Sequence, residues 1–264
     1  MNTGIFSKGK LIVAAIIAII ALISYYSKTD VNPITGEKQR VSLTQEQEVV
    51  LGLQSAPKMI EQFGGETSDP VVREKVTKIG RKLVNETEAS KSKYKFNFHV
   101  LADSKTVNAF ALPGGQIFIT MGLYNLLTTE DQLAGVLGHE IGHVIGRHSA
   151  EQMAKEELTE GLINATDMAT YDPNSPNVQS GIARYVGSMI NMKYGREDEL
   201  ESDRFGVKYL YETGYQPEAQ IEVMKILKQA GGGGQRQPEF LSTHPDPENR
   251  ITEIQKYISE LKKK

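Results

Sequence analysis

Residues 137–152 read LGHEIGHVIGRHSAEQ, and the way these histidines are counted decides what the chain builds. Three of its five histidines, His139, His143 and His148, fall in this one stretch. Residues four apart on an α-helix lie one above the other, so His139 and His143 present two imidazoles to one point. Glu140 is offset by about 100° and can reach a water on a metal held there without binding the metal itself. The neighbouring positions Leu133, Val136, Leu137, Ile141 and Val144 are apolar. An acid and two imidazoles among them are costly to bury without a metal or partners. The pair is therefore expected to hold one Zn2+ per chain, with Glu140 as general base.

The third histidine does not complete the set. In the pattern HExxHxxGxxH, Gly146 falls on the glycine but Ser149 falls where the last histidine belongs. In a helix that continues past Gly146, His148 lies about 180° from His139, which assigns it to the surface or to a supporting position. A cysteine ligand is excluded, because the chain has no cysteine. Carboxylates remain, and YGREDELESDRFG (194–206) offers Glu197, Asp198, Glu199, Glu201 and Asp203. Glu199 and Asp203 are one turn apart, on a face with Arg196 and Gly206. One such carboxylate can bind the metal while the next holds a ligand histidine by its other ring N–H. The alternative for so acidic a run is a solvated face.

The rest of the chain reads as an α+β domain. Residues 28–43 are polar and rich in turn formers, a linker. Thr44 and Gln47 form a capping box for a helix that carries Val50, Leu51, Leu53 and Ile60 and ends at Gly64-Gly65. Asp69-Pro70 opens a second helix with Val72, Val76, Ile79 and Leu83 at helical spacing. KFNFHVLAD (95–103) alternates as a half-buried strand, with His99 on its polar face. VNAFALPGGQIFIT (107–120) reads as two strands around Pro113-Gly114-Gly115. Thr129 and Gln132 cap the motif helix. DPNSPN (172–177) breaks the chain, a helical pattern runs on to Gly214, and another helix covers about 217–230. GGGGQRQP (231–238) is flexible by composition, and Asp246-Pro247 opens the last helix. A small sheet flanked by long helices is an α+β arrangement.

At 264 residues, with 39% apolar residues and a net charge of −3, the chain suits one sizeable domain with appendages. The charge gives no reason to expect nucleic acid as a partner, and the missing cysteines exclude thiol catalysis and disulfides. Lys8 and Lys10 precede LIVAAIIAIIALISYY (11–26). No small-residue cleavage pair follows, and Tyr25 and Tyr26 suit a membrane interface. An uncleaved signal-anchor is therefore favoured over a cleaved signal peptide, with the remainder exported, into the periplasm if the cell is Gram-negative.

Five stretches together resemble the membrane-associated zinc metallopeptidases of the M48 type: NPITGEKQ (32–39), VNAFALPGGQIFITMGL (107–123), LGHEIGHVIGRHSAEQ, GREDELESDRFG (195–206) and STHPDPENRI (242–251). The resemblance covers roughly residues 30–260 and is similar in type to the exported, single-domain members near the Oma1-like and periplasmic quality-control peptidases. The chain departs from lipoprotein members in lacking a cysteine. It departs from the branches with several spans in having one apolar segment, so prenylated substrates are not expected. The resemblance implies a zincin-like (gluzincin) domain over 69–264, after a signal segment at 1–27 and a linker and helix at 28–68. It implies His139, His143 and Glu199 as zinc ligands, Glu140 as base and Asp203 behind the ligands. His244 and Arg250 match catalytic positions of the C-terminal motif, where a donor must meet the developing oxyanion. In some relatives the histidine at the place of His244 also takes the fourth zinc position and holds the enzyme inactive. Asn108 and Ala109 fall on a strand that pairs with substrate backbone in that family. The implied activity is endoproteolysis of unfolded or damaged envelope and membrane proteins. The rival reading is a zinc-stabilised, chaperone-like binding protein with little turnover.

Overall fold

The most apolar run of the chain becomes its first helix. In the computed structural model, which describes residues 8–170, 193–232, 238–245 and 250–263, α1 spans Lys8–Ser27. Its Gly9–Ser27 portion is long and apolar enough to cross a membrane. Ile12, Ile16, Ile19, Ile20 and Ile23 all face outward, an arrangement that suits lipid better than water. The expected linker is a short hairpin instead: β1 (Thr29–Val31) pairs antiparallel with β2 (Lys38–Arg40). Strands of three residues are too short to show period-two alternation, so composition alone had spoken.

Helix α2 (Gln45–Gln62) starts at the expected capping box between Thr44 and Gln47. Its buried face differs from the expected one. Gly52, Ser55, Ala56 and Met59 point inward, whereas Val50 and Leu53 are exposed. Small residues take the inner face because α2 lies close over the Pro113 turn. Helix α3 (Pro70–Asn85) begins where Asp69 accepts hydrogen bonds from the amides of Val71 and Val72, and it buries Val72, Val76, Ile79 and Leu83 as spaced.

The sheet has the order β3-β5-β4, from Asn97–Leu101, Ala109–Leu112 and Gln116–Thr120. β5 runs parallel to β3 and antiparallel to β4, and Gly114 and Gly115 turn the chain between them at φ 79° and 104°. Alternate residues go to opposite faces. Ala109, Ala111, Ile117 and Ile119 join the main core, while Phe110, Leu112 and Phe118 pack with Ala56, Met59 and Phe63 of the α2 region. Both strands are therefore buried throughout. His99 on β3 is half-buried, paired with Glu66 at 2.6 Å and stacked on Phe118.

After the short α4 (Met121–Tyr124) comes α5 (Glu130–Ile145), which carries the histidine motif. Thr129 caps it by accepting from the Gln132 amide, but Gln132 does not complete the box. Its side chain accepts from the Thr128 amide and donates to Glu222, each at 2.8 Å, so the reciprocal bond slips one residue outward. Then follow α6 (His148–Thr170), α7 (Arg196–Glu212), α8 (Ala219–Gly232), α9 (Glu239–Thr243) and α10 (Arg250–Leu261). α5 and α7 cross almost backbone to backbone. A β-carbon on Gly138 would stand 3.2 Å from the Gly206 Cα, and one on Gly142 would stand 3.0 Å from the Ser202 Cα. That closeness lets short carboxylates on α7 reach imidazoles on α5. α1 lies along α6, with Lys28 paired to Glu157 at 2.5 Å. The expected break at 172–177, most of the glycine-rich stretch and the Asp246-Pro247 cap lie outside the described residues.

Candidate metal centre

The last carbonyls of α5 lack partners within the helix, as helix ends do, and the β1–β2 hairpin supplies them. Asn32 Nδ2 donates to the Ile145 carbonyl at 2.8 Å, and Gln39 Nε2 donates to that of Gly146. Arg147 then takes a left-handed conformation at φ 58°, and α6 starts at the next residue. Its guanidinium, 1% exposed, donates to Glu48 at 2.7 and 2.8 Å, to Asp30 at 2.8 Å and to the Leu43 carbonyl at 2.7 Å. The helix therefore does not continue past Gly146, and the phase argument for His148 lapses. His148 is not at the surface; it is 1% exposed and folds back under His143.

Four side chains converge where α5, α7 and the end of α9 meet. The ligating atoms of His139, His143, Glu199 and His244 all lie within 4.8 Å of one another. His139 Nε2 stands 3.0 Å from His143 Nε2, 3.4 Å from His244 Nδ1 and 3.5 Å from Glu199 Oε2. Glu199 Oε1 stands 3.5 Å from His143 Nε2 and 3.0 Å from His244 Nδ1. Ligands at about 2.0–2.1 Å from a tetrahedral zinc are about 3.3 Å apart, so these separations are the edges of a zinc-sized tetrahedron. Imidazole and carboxylate donors without sulfur also suit zinc. Among the described residues, both Glu140 oxygens and His244 Nε2 are buried with no hydrogen-bond partner. The nearest approach between them is 3.6 Å, from His244 Nε2 to Glu140 Oε1. The residues present therefore fit a zinc ion, with an unengaged acid beside it.

A supporting set lies behind these four. Asp203 Oδ1 stands 3.1 Å from His139 Nδ1 and accepts from Gln220 Nε2 at 3.2 Å. Arg250 is fully buried; it donates to both oxygens of Asp203 and lies 2.9 Å from Glu199 Oε2. Its charge is thus turned toward the carboxylates. Tyr194 stacks on His143 with ring centroids 3.9 Å apart, and its hydroxyl meets Ser149 Oγ at 3.0 Å.

Burial acts on every ionisable group here, and neighbours decide the outcome. It raises Glu140 above the ordinary carboxylate range, with His244 and His139 only partly opposing. It lowers His143 well below the usual histidine value. For Glu199 and Asp203 burial is outweighed, chiefly by His244 and Arg250 for the first and by Arg250 for the second, so both stay low. For His139 it is outweighed by the carboxylates of Asp203 and Glu199, and the ring is raised to about 9.

Asn108 and Ala109, at the start of β4, are buried. The Phe240 amide of α9 donates to the Val107 carbonyl at 3.2 Å, and the His244 amide donates to Phe240 at 2.7 Å. One short helix thus brings His244 to the cluster and lies against the segment leading into β4. Sequence reasoning did not single out Tyr194 or the contacts of Glu201. The only signals were that Tyr194 heads the acidic run and that Glu201 belongs to it.

Comparison with known proteins places these features in a group. The model of peptidase family M48 matches residues 70–258. The chain is 28% identical over 200 residues to the beta-barrel assembly-enhancing protease of Escherichia coli (strain K12), covering 74% of this chain and 40% of that protein. It is 30% identical over 233 residues to the putative beta-barrel assembly-enhancing protease of Vibrio cholerae, covering 85% and 46%. It is 28% identical over 267 residues to the mitochondrial metalloendopeptidase OMA1 of Homo sapiens, covering 93% and 49%. The chain therefore spans less than half the length of these relatives.

Proposed function

Because the chain belongs to peptidase family M48, we propose that it is a zinc metalloendopeptidase that cleaves unfolded or damaged proteins in envelope quality control. The observation that carries this reading is the zinc-sized tetrahedron of His139, His143, Glu199 and His244 beside the unpartnered carboxylate of Glu140. Relatives named as proteases and metalloendopeptidases support it. α1 is the membrane anchor, and the catalytic domain lies outside the cytoplasm.

When bound, zinc supplies Lewis acidity, which polarises a peptide carbonyl and acidifies a water. His139, His143 and Glu199 hold the ion. Glu140 takes the proton of the water and gives it to the leaving amine; a carboxyl raised by burial suits both steps. Asp203 fixes His139 by accepting from its Nδ1–H. Arg250 anchors Asp203 and Glu199, so its role is to hold the carboxylates rather than to meet the oxyanion. His244 occupies the fourth corner in this conformation, which closes the site. Withdrawn from that corner, it donates to the oxyanion. The same withdrawal moves α9, and Asn108 and Ala109 then receive an extended peptide along the β4 edge.

The test compares wild type with Glu140→Ala on an unfolded protein with blocked termini. Internal cleavage falls by about 10²–10⁴-fold in the variant while bound zinc stays at one per chain. Equal cleavage overturns the reading, and client binding without cleavage by either protein establishes the chaperone-like rival. For His244→Ala, zinc is held more weakly and kcat falls by about 10²-fold; unchanged activity and unchanged zinc affinity remove both roles of His244.

A further inference from the structure

We propose that His148 and Glu201 form a relay that positions the ligand His143, so that the third histidine of the motif holds a ligand instead of being one. The inference rests on the zinc-site reading above. His143 Nε2 faces His139 and Glu199. A nitrogen that gives its lone pair to a metal carries no proton, so the proton of His143 sits on Nδ1. That atom is 2.9 Å from His148 Nδ1, which must therefore accept, and the proton of His148 is left on Nε2. His148 Nε2 is 2.9 Å from Glu201 Oε2, an acceptor. Each link is of hydrogen-bond length, and the tautomers follow one from another along the chain Glu201, His148, His143.

The local backbone is built for this return. Left-handed Arg147 reverses the chain straight after Gly146. A β-carbon on Gly146 would stand 2.4 Å from His148 Nε2, so the absence of a side chain there leaves room for the ring. Ser202 Oγ, 3.3 Å from His148 Nδ1, closes the pocket from α7. The two ligand histidines are thus held alike in principle but by different means. His139 leans on a carboxylate directly, whereas His143 reaches one through a second imidazole. α7 supplies Glu199 to the centre, Asp203 to His139 and Glu201 to His148.

The experiment measures zinc affinity of the full chain by competition with a chelator for wild type, His143→Ala, His148→Leu, His148→Gln, Glu201→Ala and the double variant H148L/E201A. Removing such a partner is expected to weaken zinc binding by about 10–100-fold in His148→Leu, with a smaller loss in Glu201→Ala. His148→Gln recovers most of the affinity, because one amide can accept from His143 and donate to Glu201. The double variant binds no more weakly than His148→Leu alone, as expected of members of one chain. Wild-type affinity in His148→Leu, failure of glutamine to rescue, or additive losses in the double variant overturns the relay while leaving the zinc site standing. Wild type that takes up no zinc, or uptake indifferent to His143→Ala, overturns both. Should His148→Leu not fold, Glu201→Ala carries the test alone, since its side chain is 23% exposed, and unchanged affinity there overturns the relay.

Discussion

At the scale of single residues, Arg147 shows a cost and what offsets it. A left-handed backbone at a non-glycine residue costs about 1–2 kcal/mol, and its φ of 58° is the one such case among the described residues. The buried pair with Glu48, together with Asp30 and the Leu43 carbonyl, outweighs that strain. Arg147→Ala leaves Glu48 buried and unpaired, so it should destabilise the zinc-free protein by about 3–5 kcal/mol in urea titration. Arg147→Gly should be milder by about 0.5–1 kcal/mol, since glycine accepts the left-handed region. Gly146→Ala should weaken zinc binding in the same assay as the relay variants, because its methyl group displaces the His148 ring. His139, Glu140 and His143 were legible from spacing, since four-residue repetition and helical phase need only local geometry. His148 was not, because its phase was computed on a helix that stops. No residue type at position 147 announces a left-handed turn.

Among elements, the crossing of α5 and α7 decides which acids of the 197–203 run face the histidines. Gly138 and Gly142 against Gly206 and Ser202 bring the two backbones together. Gly138→Val should push them apart, with an overpacking cost of about 1–3 kcal/mol and a parallel loss of zinc affinity. The hairpin is a second determinant. Replacing Asn32 and Gln39 together by alanine removes two bonds to the end of α5, about 1 kcal/mol each. Hydrogen exchange should then quicken in the amides of its last turn, 142–147. α3 and the β4–β5 pair could be read from the sequence because their caps, glycine turn and periodicity agree. The hairpin could not, having too few residues to repeat anything. The inner face of α2 was misjudged because a close approach selects small residues over the apolar ones that periodicity counts.

For the whole molecule, the α+β class followed from the order of patterns, whereas the assembly of the centre depends on contacts that no local pattern records. His244 and Arg250 stand on opposite sides of residues 246–249, yet both meet Glu199. Removing residues 1–27 should leave a protein with unchanged zinc affinity, because α1 packs along α6 and touches none of the cluster; chelator competition on the shortened chain checks this. The shortened protein differs in reach. α1 ends at Ser27 and β1 starts at Thr29, so the two are joined without slack. The hairpin grips the end of α5 only six residues past His139, about 9 Å along the axis. With α1 seated in a bilayer, the centre is a blade on a short rigid arm, set at one height above the lipid. A protein is then selected by how far above the surface it unravels, whatever its side chains. Glycine and serine residues inserted between Ser27 and Thr29 would lengthen that arm and move the cut, without changing an atom of the centre.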